Sequence, residues 1–301
     1  MPTYDEPERL QAALRRLSSQ EYPPQEVEIV VIDDASPRPP CKQLGDLVQP
    51  FSLRLIRQTV NQGRARARNA GLRAARGELI VFLDSDMTVE PGFLRAHADL
   101  HRNHPQTVAI GHIRFDSNLP SNCLTRYIET RGVHRLAPGE PVPFKCFVTG
   151  NSSMRRDLLL EVGLFDEDFT AYGGEDLELG YRLHRQGVAF RYLPEAMSWH
   201  HHLRSLDQHC QLMHTYGRHS LPLLATKHPE LAGLLRLNFL KRPLLSPRRL
   251  LMSLALCECV YRPILNLSRW NLNRQVPDLF FDYLWWSNRT RGFLEAADRE
   301  N

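Results

Sequence analysis

The sequence predicts an α/β protein, a buried sheet with helices on both faces, followed by a helical extension. Three observations carry that reading. Strand-like and helix-like segments alternate through the first two-thirds of the chain. Continuous apolar, β-branched runs end in acidic turns, as buried parallel strands do where a ligand crevice opens. After about residue 203 strand alternation disappears and leucine, arginine and proline dominate. The expected division is therefore 1–202 for the sheet-bearing domain and 203–301 for the extension.

The elements follow in order. Leu10, Leu14 and Leu17 recur at helical spacing behind Pro7, a residue suited to a first helical turn. VEIVVI, Val27–Ile32, reads as a buried strand closing on the polar turn DDAS. LRLIR, Leu53–Arg57, is a further strand, and NQGRARARNAGLRAARG, Asn61–Gly77, a helix closed by glycine. LIVFL, Leu79–Leu83, is the next buried strand and runs into DSD, Asp84–Asp86, with Pro91 suited to the start of another helix. TVAIGHI and VAFRY have strand character, and DLLLEVG reads as a short helix. The tail segments LLRLNFLKRPLLSPRRLLMSLAL and DLFFDYLWW read as helices packing on the first domain. Two acidic clusters, DDAS and DSD, thus meet one crevice at the carboxyl ends of strands.

Composition bounds the function. The chain has 301 residues, 42% apolar and 24% charged, enough to bury a sizeable core. No apolar leader is expected from MPTYDEPERL, and the longest uncharged apolar run, Leu250–Cys257, falls far short of a membrane span. A soluble or peripheral protein is expected. Six cysteines form no paired CxxC arrangement, so reduced thiols, a cytoplasmic location and unglycosylated sequons at Asn151, Asn266 and Asn288 are expected. The net charge of +4 is concentrated in residues 203–301, where 14 Lys/Arg face 8 Asp/Glu. No aromatics interleave with the basic residues, which argues against nucleic acid. Five basic residues between Arg236 and Arg249 lie among leucines, a pattern that suits peripheral contact with a membrane surface.

The order of motifs resembles a known family. PTYDEPERL, VVIDDAS, NQGRARARNAG, GELIVFLDSD and the GGED segment look like the inverting glycosyltransferases of family 2, which have the GT-A fold. The stretch from FVTGNSS to YRLHRQG is also similar to the C-terminal part of the β-1,4-galactosyltransferases. The match covers residues 1 to about 202. It implies a metal-dependent transfer of sugar from a UDP-sugar of the Gal, GalNAc or GlcNAc type to a glycan, lipid-linked or other hydroxyl acceptor, in polysaccharide or glycolipid assembly.

Site residues follow from the same resemblance. Asp86, the last acid of DSD, maps to the ligand of Mn²⁺ or Mg²⁺, and Asp84 to the acid near the donor ribose and sugar. Met197 and His200 match a Met and His three residues apart at the metal; His200 is the stronger ligand, with His201 the fallback if the register slips. Asp34 maps to the acceptor of the uracil N3–H, with Pro2, Thr3 and Tyr4 lining the base; Asp33 is expected only to cap its turn. Arg66 matches a basic position near the nucleotide, while Arg64 and Arg68 are expected in solvent. Asp176 maps to the general base, Glu175 to a holder of acceptor hydroxyls and Tyr172 to an aromatic platform for the acceptor sugar. Asn151 in TGNSS is expected near the donor sugar. Glu178 and Arg182, four apart, read as a supporting ion pair.

The family pattern also places an apolar strand ahead of the PTY triplet, where Met1 stands here. Pro2–Tyr4 is accordingly expected to hang from a free terminus, which would put donor binding in doubt. Two other readings compete. A sugar-phosphate nucleotidyltransferase would want a glycine-rich basic signature near residue 10, and none is there. A catalytically degenerate transferase serving as a membrane-associated assembly partner would suit the missing strand and basic tail.

Overall fold

The computed structural model describes residues 1–40, 42–136, 140–237 and 247–298. Its strands are β1 (Pro2–Thr3), β2 (Glu28–Asp33), β3 (Ser52–Arg57), β4 (Leu79–Leu83), β5 (Met87–Val89), β6 (Thr107–Phe115), β7 (Asn151–Arg155) and β8 (Ala189–His200). The helices are α1 (Pro7–Ser18), α2 (Arg64–Ala74), α3 (Phe93–Asn103), α4 (Cys123–Glu129), α5 (Arg156–Glu161), α6 (Glu175–Arg185), α7 (Leu206–Thr215), α8 (Leu221–Lys227), α9 (Pro247–Ala255), α10 (Glu258–Asn271) and α11 (Asp278–Ala297).

Two compact units divide the chain. The first holds residues 1–119, 129–170 and 175–203, and the second residues 120–128, 171–174 and 204–301. All eight strands belong to the first unit, in two sheets ordered β1-β2-β3 and β4-β7-β6-β8-β5. The first sheet is parallel, with Pro2 opposite Ile32 and Thr3 opposite Asp33. The second is mixed, because β7 runs antiparallel to both β4 and β6 while β6 and β8 are parallel.

The apolar face of α1, Leu10, Leu14 and Leu17, packs with Ile29 and Val31 of β2 and with Phe93 of α3 in one core cluster. A second cluster gathers Ile80, Phe82, Val108, Ile110 and Met154 from the strands with Leu179 and Leu183 of α6. Each such side chain contributes about 1.5–3 kcal/mol through burial. The second unit has its own core of Leu124, Tyr127, Leu206, Leu265, Phe281 and Leu284. A capping box between Ser205 and Gln208 opens its α7. Among the described residues, no helix is long and apolar enough to cross a membrane. Much of the basic, leucine-rich segment between Arg236 and Arg249 lies outside the described residues.

The N-terminal triplet departs from expectation. Pro2–Thr3 is tied to β2 by backbone bonds from Ile32 N to Met1 O (2.9 Å) and from Asp34 N to Thr3 O (3.0 Å). The Met1 amino group donates to Val30 O at 2.9 Å, and burial pushes its pKa down to about 5. Past this short strand the sheet is interrupted. β2 and β4 are not paired with each other, and the space beside them is a cavity of about 250 Å³ lined by Ile29, Ile32, Ile80, Phe82, Leu72 and Phe93 among others.

Candidate active site

Two strand ends carry the acids. β2 ends in Asp33 and Asp34, both buried. Asp33 accepts from Ser36 N at 3.0 Å and from Arg57, so it caps its turn. Asp34 accepts from Gln62 N at 2.8 Å and Gly63 N at 2.9 Å, fastening the turn that enters α2. A carboxylate has lone pairs beyond these two. Tyr4 is exposed beside the buried Thr3.

At the end of β4, Asp84 and Asp86 diverge. Asp86 meets the end of β8, because the antiparallel register sets Met87 opposite His200. His200 Nε2 lies 3.1 Å from Asp86 Oδ2, and His202 Nδ1 lies 3.8 Å from the same oxygen. Glu6 Oε1, ahead of α1, is 3.8 Å from His202 Nδ1. Donor atoms of Glu6, Asp86 and His202 all fall within 4.8 Å of one another. Bonds of about 2.1 Å to an octahedral cation place neighbouring donors about 3 Å apart and opposite ones about 4.2 Å apart. The 3.1 and 3.8 Å separations fit that frame. Oxygen with imidazole is also a donor set that suits Mn²⁺.

Extended backbone alternates its side chains. His200 and His202 therefore share a side, with rings 6.3 Å apart and nearly parallel. His201 turns the other way, to Thr88 Oγ1 at 2.7 Å and Asp116 at 3.5 Å, and is not in the cluster. Glu6 and His202 are additions that sequence reasoning missed; the HHH run held the signal for the second.

The other acids converge on α2. Arg68, expected in solvent, is buried, with Nη2 3.2 Å from Asp84 Oδ1 and Nη1 3.2 Å from Glu175 Oε1 and 3.8 Å from Asp176 Oδ1. Arg66 instead lies on the exposed side of α2, 3.5 Å from Glu167. Residues two apart on a helix diverge, and the sequence alone leaves open which of them faces inward. The basic residue at the acids is thus Arg68, not Arg66.

Glu175 and Asp176 open α6, where the helix dipole favours negative charge. Gly173 and Gly174, just ahead, take φ of 78° and 99°, a region glycine enters without a steric penalty. Asp176 accepts from Thr149 Oγ1 at 2.9 Å and Thr149 N at 3.2 Å. Burial nevertheless pushes its pKa up to about 6; Arg68 and Thr149 pull it down and Glu175 adds to the rise. Glu175 turns inward onto Arg68, and its Oε2 is buried with no hydrogen-bond partner in the structure, so neither oxygen is offered to an acceptor. Glu178 and Arg182 form the expected pair, at 2.6 Å.

One expected residue stands elsewhere. Asn151 is fully buried within β7, donating to Ala196 O at 2.8 Å and Ser198 Oγ at 2.9 Å, with its oxygen 3.2 Å from His97 Nε2. It holds strands together and does not line an open crevice; its neighbours Thr149 and Gly150 are the ones that reach Asp176 and Asp84. Tyr172 belongs to the second unit, where its carbonyl accepts from Ser220 Oγ at 3.1 Å.

Comparison with known proteins bears on the family and the fold. The glycosyl transferase family 2 profile matches residues 1–163, and a profile described as the N-terminal domain of galactosyltransferase matches residues 133–205. An uncharacterized glycosyltransferase, YfnE, of Bacillus subtilis is 28% identical over 248 residues, covering 66% of this chain and 63% of its own. Validoxylamine A glucosyltransferase of Streptomyces hygroscopicus is 30% identical, covering 62% of this chain and 48% of its own, and hyaluronan synthase of Pasteurella multocida is 28% identical, covering 66% and 24%. The chain thus spans less than two-thirds of each of these relatives. Among solved structures, a mannosyltransferase from Pyrobaculum calidifontis in complex with GDP-Man and Mn²⁺ aligns with a TM-score of 0.61 at 19% identity, over 99% of this chain and 84% of its own. Residues 1–349 of Staphylococcus aureus TarS, in complex with UDP, align with a TM-score of 0.57 at 18% identity, over 99% and 90%. These likenesses establish a shared fold. With its profile matched over more than half of 301 residues, the chain belongs to glycosyl transferase family 2.

Proposed function

We propose that this protein transfers a sugar from a UDP-sugar of the Gal, GalNAc or GlcNAc type to an acceptor hydroxyl, with inversion, in polysaccharide or glycolipid assembly. The observation that carries the reading is the pair of neighbouring sites built from one strand end. Asp84 shares the buried Arg68 with Asp176, while Asp86 two residues on joins His200, His202 and Glu6. An inverting transfer is one in-line displacement, and it needs a base on the acceptor side and countercharge on the leaving-group side.

Asp176 takes the proton of the attacking hydroxyl. Thr149 orients its carboxylate through two hydrogen bonds. Asp86, His200, His202 and Glu6 would hold Mn²⁺ or Mg²⁺, which supplies countercharge for the departing diphosphate. Asp84, fixed by Arg68, contacts the donor ribose and sugar. Asp34 keeps lone pairs for the uracil N3–H, and Pro2–Tyr4, secured on β2, line the base. Tyr172 offers the acceptor an aromatic face. The names of the relatives, a hyaluronan synthase and a glucosyltransferase among them, support the polymer or glycoside class.

A screen of UDP-sugars for Mn²⁺-dependent hydrolysis and transfer tests this. Asp86→Ala is expected to abolish metal-dependent turnover. Asp176→Asn is expected to lower kcat by about 10²–10⁴-fold, the usual worth of a positioned base. Wild-type rates in Asp176→Asn would refute the base, and failure of every nucleotide sugar to bind would refute the class.

The proposal extends to peripheral membrane contact through the helical unit. Val260, Leu267 and Trp270 are exposed along one side of α10, spaced at helical intervals. Cosedimentation with anionic vesicles, weakened by Trp270→Ala, is the expected result; equal sedimentation of the variant would refute it.

A further inference from the structure

One guanidinium faces three carboxylates. Arg68 lies 3.2 Å from Asp84, 3.2 Å from Glu175 and 3.8 Å from Asp176, with only 4% of its side chain exposed. Glu175 is almost as buried, at 5% of its side chain. Little water is present to dilute these charges, so their balance decides which group stays ionised. Glu175 holds the nearer contact to Arg68 Nη1, and its second oxygen has no hydrogen-bond partner. A buried oxygen left in that state is costly, more so when it carries charge. A role only in binding acceptor hydroxyls does not account for it, because the oxygen does not reach the surface.

We propose that Glu175 is a positioning residue that keeps Asp176 basic, by occupying Arg68 and by setting a second negative charge beside the Asp176 carboxylate. The inference rests on Asp176 being the base of the proposed function. The groups that face Asp176 are Arg68 from α2, Glu175 on its own helix and the neutral Thr149 ahead of β7, while Asp84 from the end of β4 meets the same Arg68. The buried Met1 amino group acts on Asp84 and Arg68 in turn. Burial raises the Asp176 pKa most; among the charged groups, Arg68 stabilises the ionised base and Glu175 opposes it. Neutralising Glu175 removes the opposing charge and frees Nη1 to close on Asp176. Both changes stabilise the carboxylate and so weaken it as a base. A base is most effective when its conjugate acid titrates near the working pH, which an ordinary carboxylate does not.

The test compares kcat/KM against pH for the wild type and Glu175→Gln, at saturating Mn²⁺ so that metal occupancy does not set the acid limb. The wild-type limb is expected near pH 6, where Asp176 titrates. In Glu175→Gln the limb moves toward the ordinary value of 3.8 and the plateau kcat falls, with the acceptor KM little changed. Glu175→Met removes the same charge at similar bulk and carries the same expectation, whereas Glu175→Asp keeps the charge and leaves the limb in place. An unmoved limb with a raised acceptor KM in the folded neutral variants would overturn the proposal and return Glu175 to acceptor binding. Failure of the base assignment itself is read separately, from wild-type turnover in Asp176→Asn.

Discussion

At the scale of single residues, three consecutive histidines perform two different tasks. His200 and His202 look toward Asp86, while His201 turns to Thr88 and Asp116. The alternation of extended backbone decides this, and it yields a sharp test. His202→Ala is expected to weaken Mn²⁺ binding, measured calorimetrically with UDP present, by about 10-fold or more, whereas His201→Ala leaves it within about 2-fold. Equal losses in both variants would remove His202 from the metal set. Asp86, Asp176 and His200 stand out in the sequence through motif order, and the structure sets Asp86 beside His200. Arg68 was not legible, because RARAR offers three arginines on different sides of one helix and only the packed sheet selects the inward one. Glu6 was not legible either, since it comes to Asp86 from 80 positions away.

Elements differ in how openly the sequence declares them. β2 and β4 are apolar runs that alternate buried with half-buried positions, and their extents match the strand signals at Val27–Ile32 and Leu79–Leu83 to within a residue. α1 shows its buried face at Leu10, Leu14 and Leu17. β7 was invisible, because NSSMR carries three polar side chains that are all fully buried. Its strand state comes from pairing on both sides; Asn151 and Ser153 are held by tertiary contacts such as His97 to Ser153 at 2.7 Å, while Ser152 Oγ is buried without a hydrogen-bond partner. That pairing is tight. A Cβ at Gly111 on β6 would stand 2.1 Å from Asn151 Oδ1, so glycine there is a condition of Asn151 crossing the sheet. β8 likewise runs from Ala189 to His200, well past the VAFRY signal, because β5 pairs with its far end. The helical tail was legible as helix from its lack of alternation, but its two excursions, at 120–128 and 171–174, depend on packing alone.

Across the whole molecule, the most consequential feature is the partly open apolar cavity beside β2 and β4. Protein interiors are normally filled to the density of organic crystals, and about 250 Å³ of apolar space is large on that scale. Its walls, Ile29, Ile32, Ile80 and Phe82, lack dispersion partners on one side. The part of such a space that excludes water is eliminated when a chain unfolds, which makes the unfolding volume change more negative. Hydrostatic pressure is therefore the natural adversary of this fold. Fluorescence-monitored pressure unfolding is expected to give a lower midpoint for the parent than for a variant in which Ala67 or Ala75, both on the cavity wall, is enlarged to Leu or Ile. An unchanged midpoint in well-folded filled variants would mean that the space is not void in solution. Heat and denaturant act on exposed surface; compression acts on what is missing inside, and here it would act first on the two sheets that carry the acids.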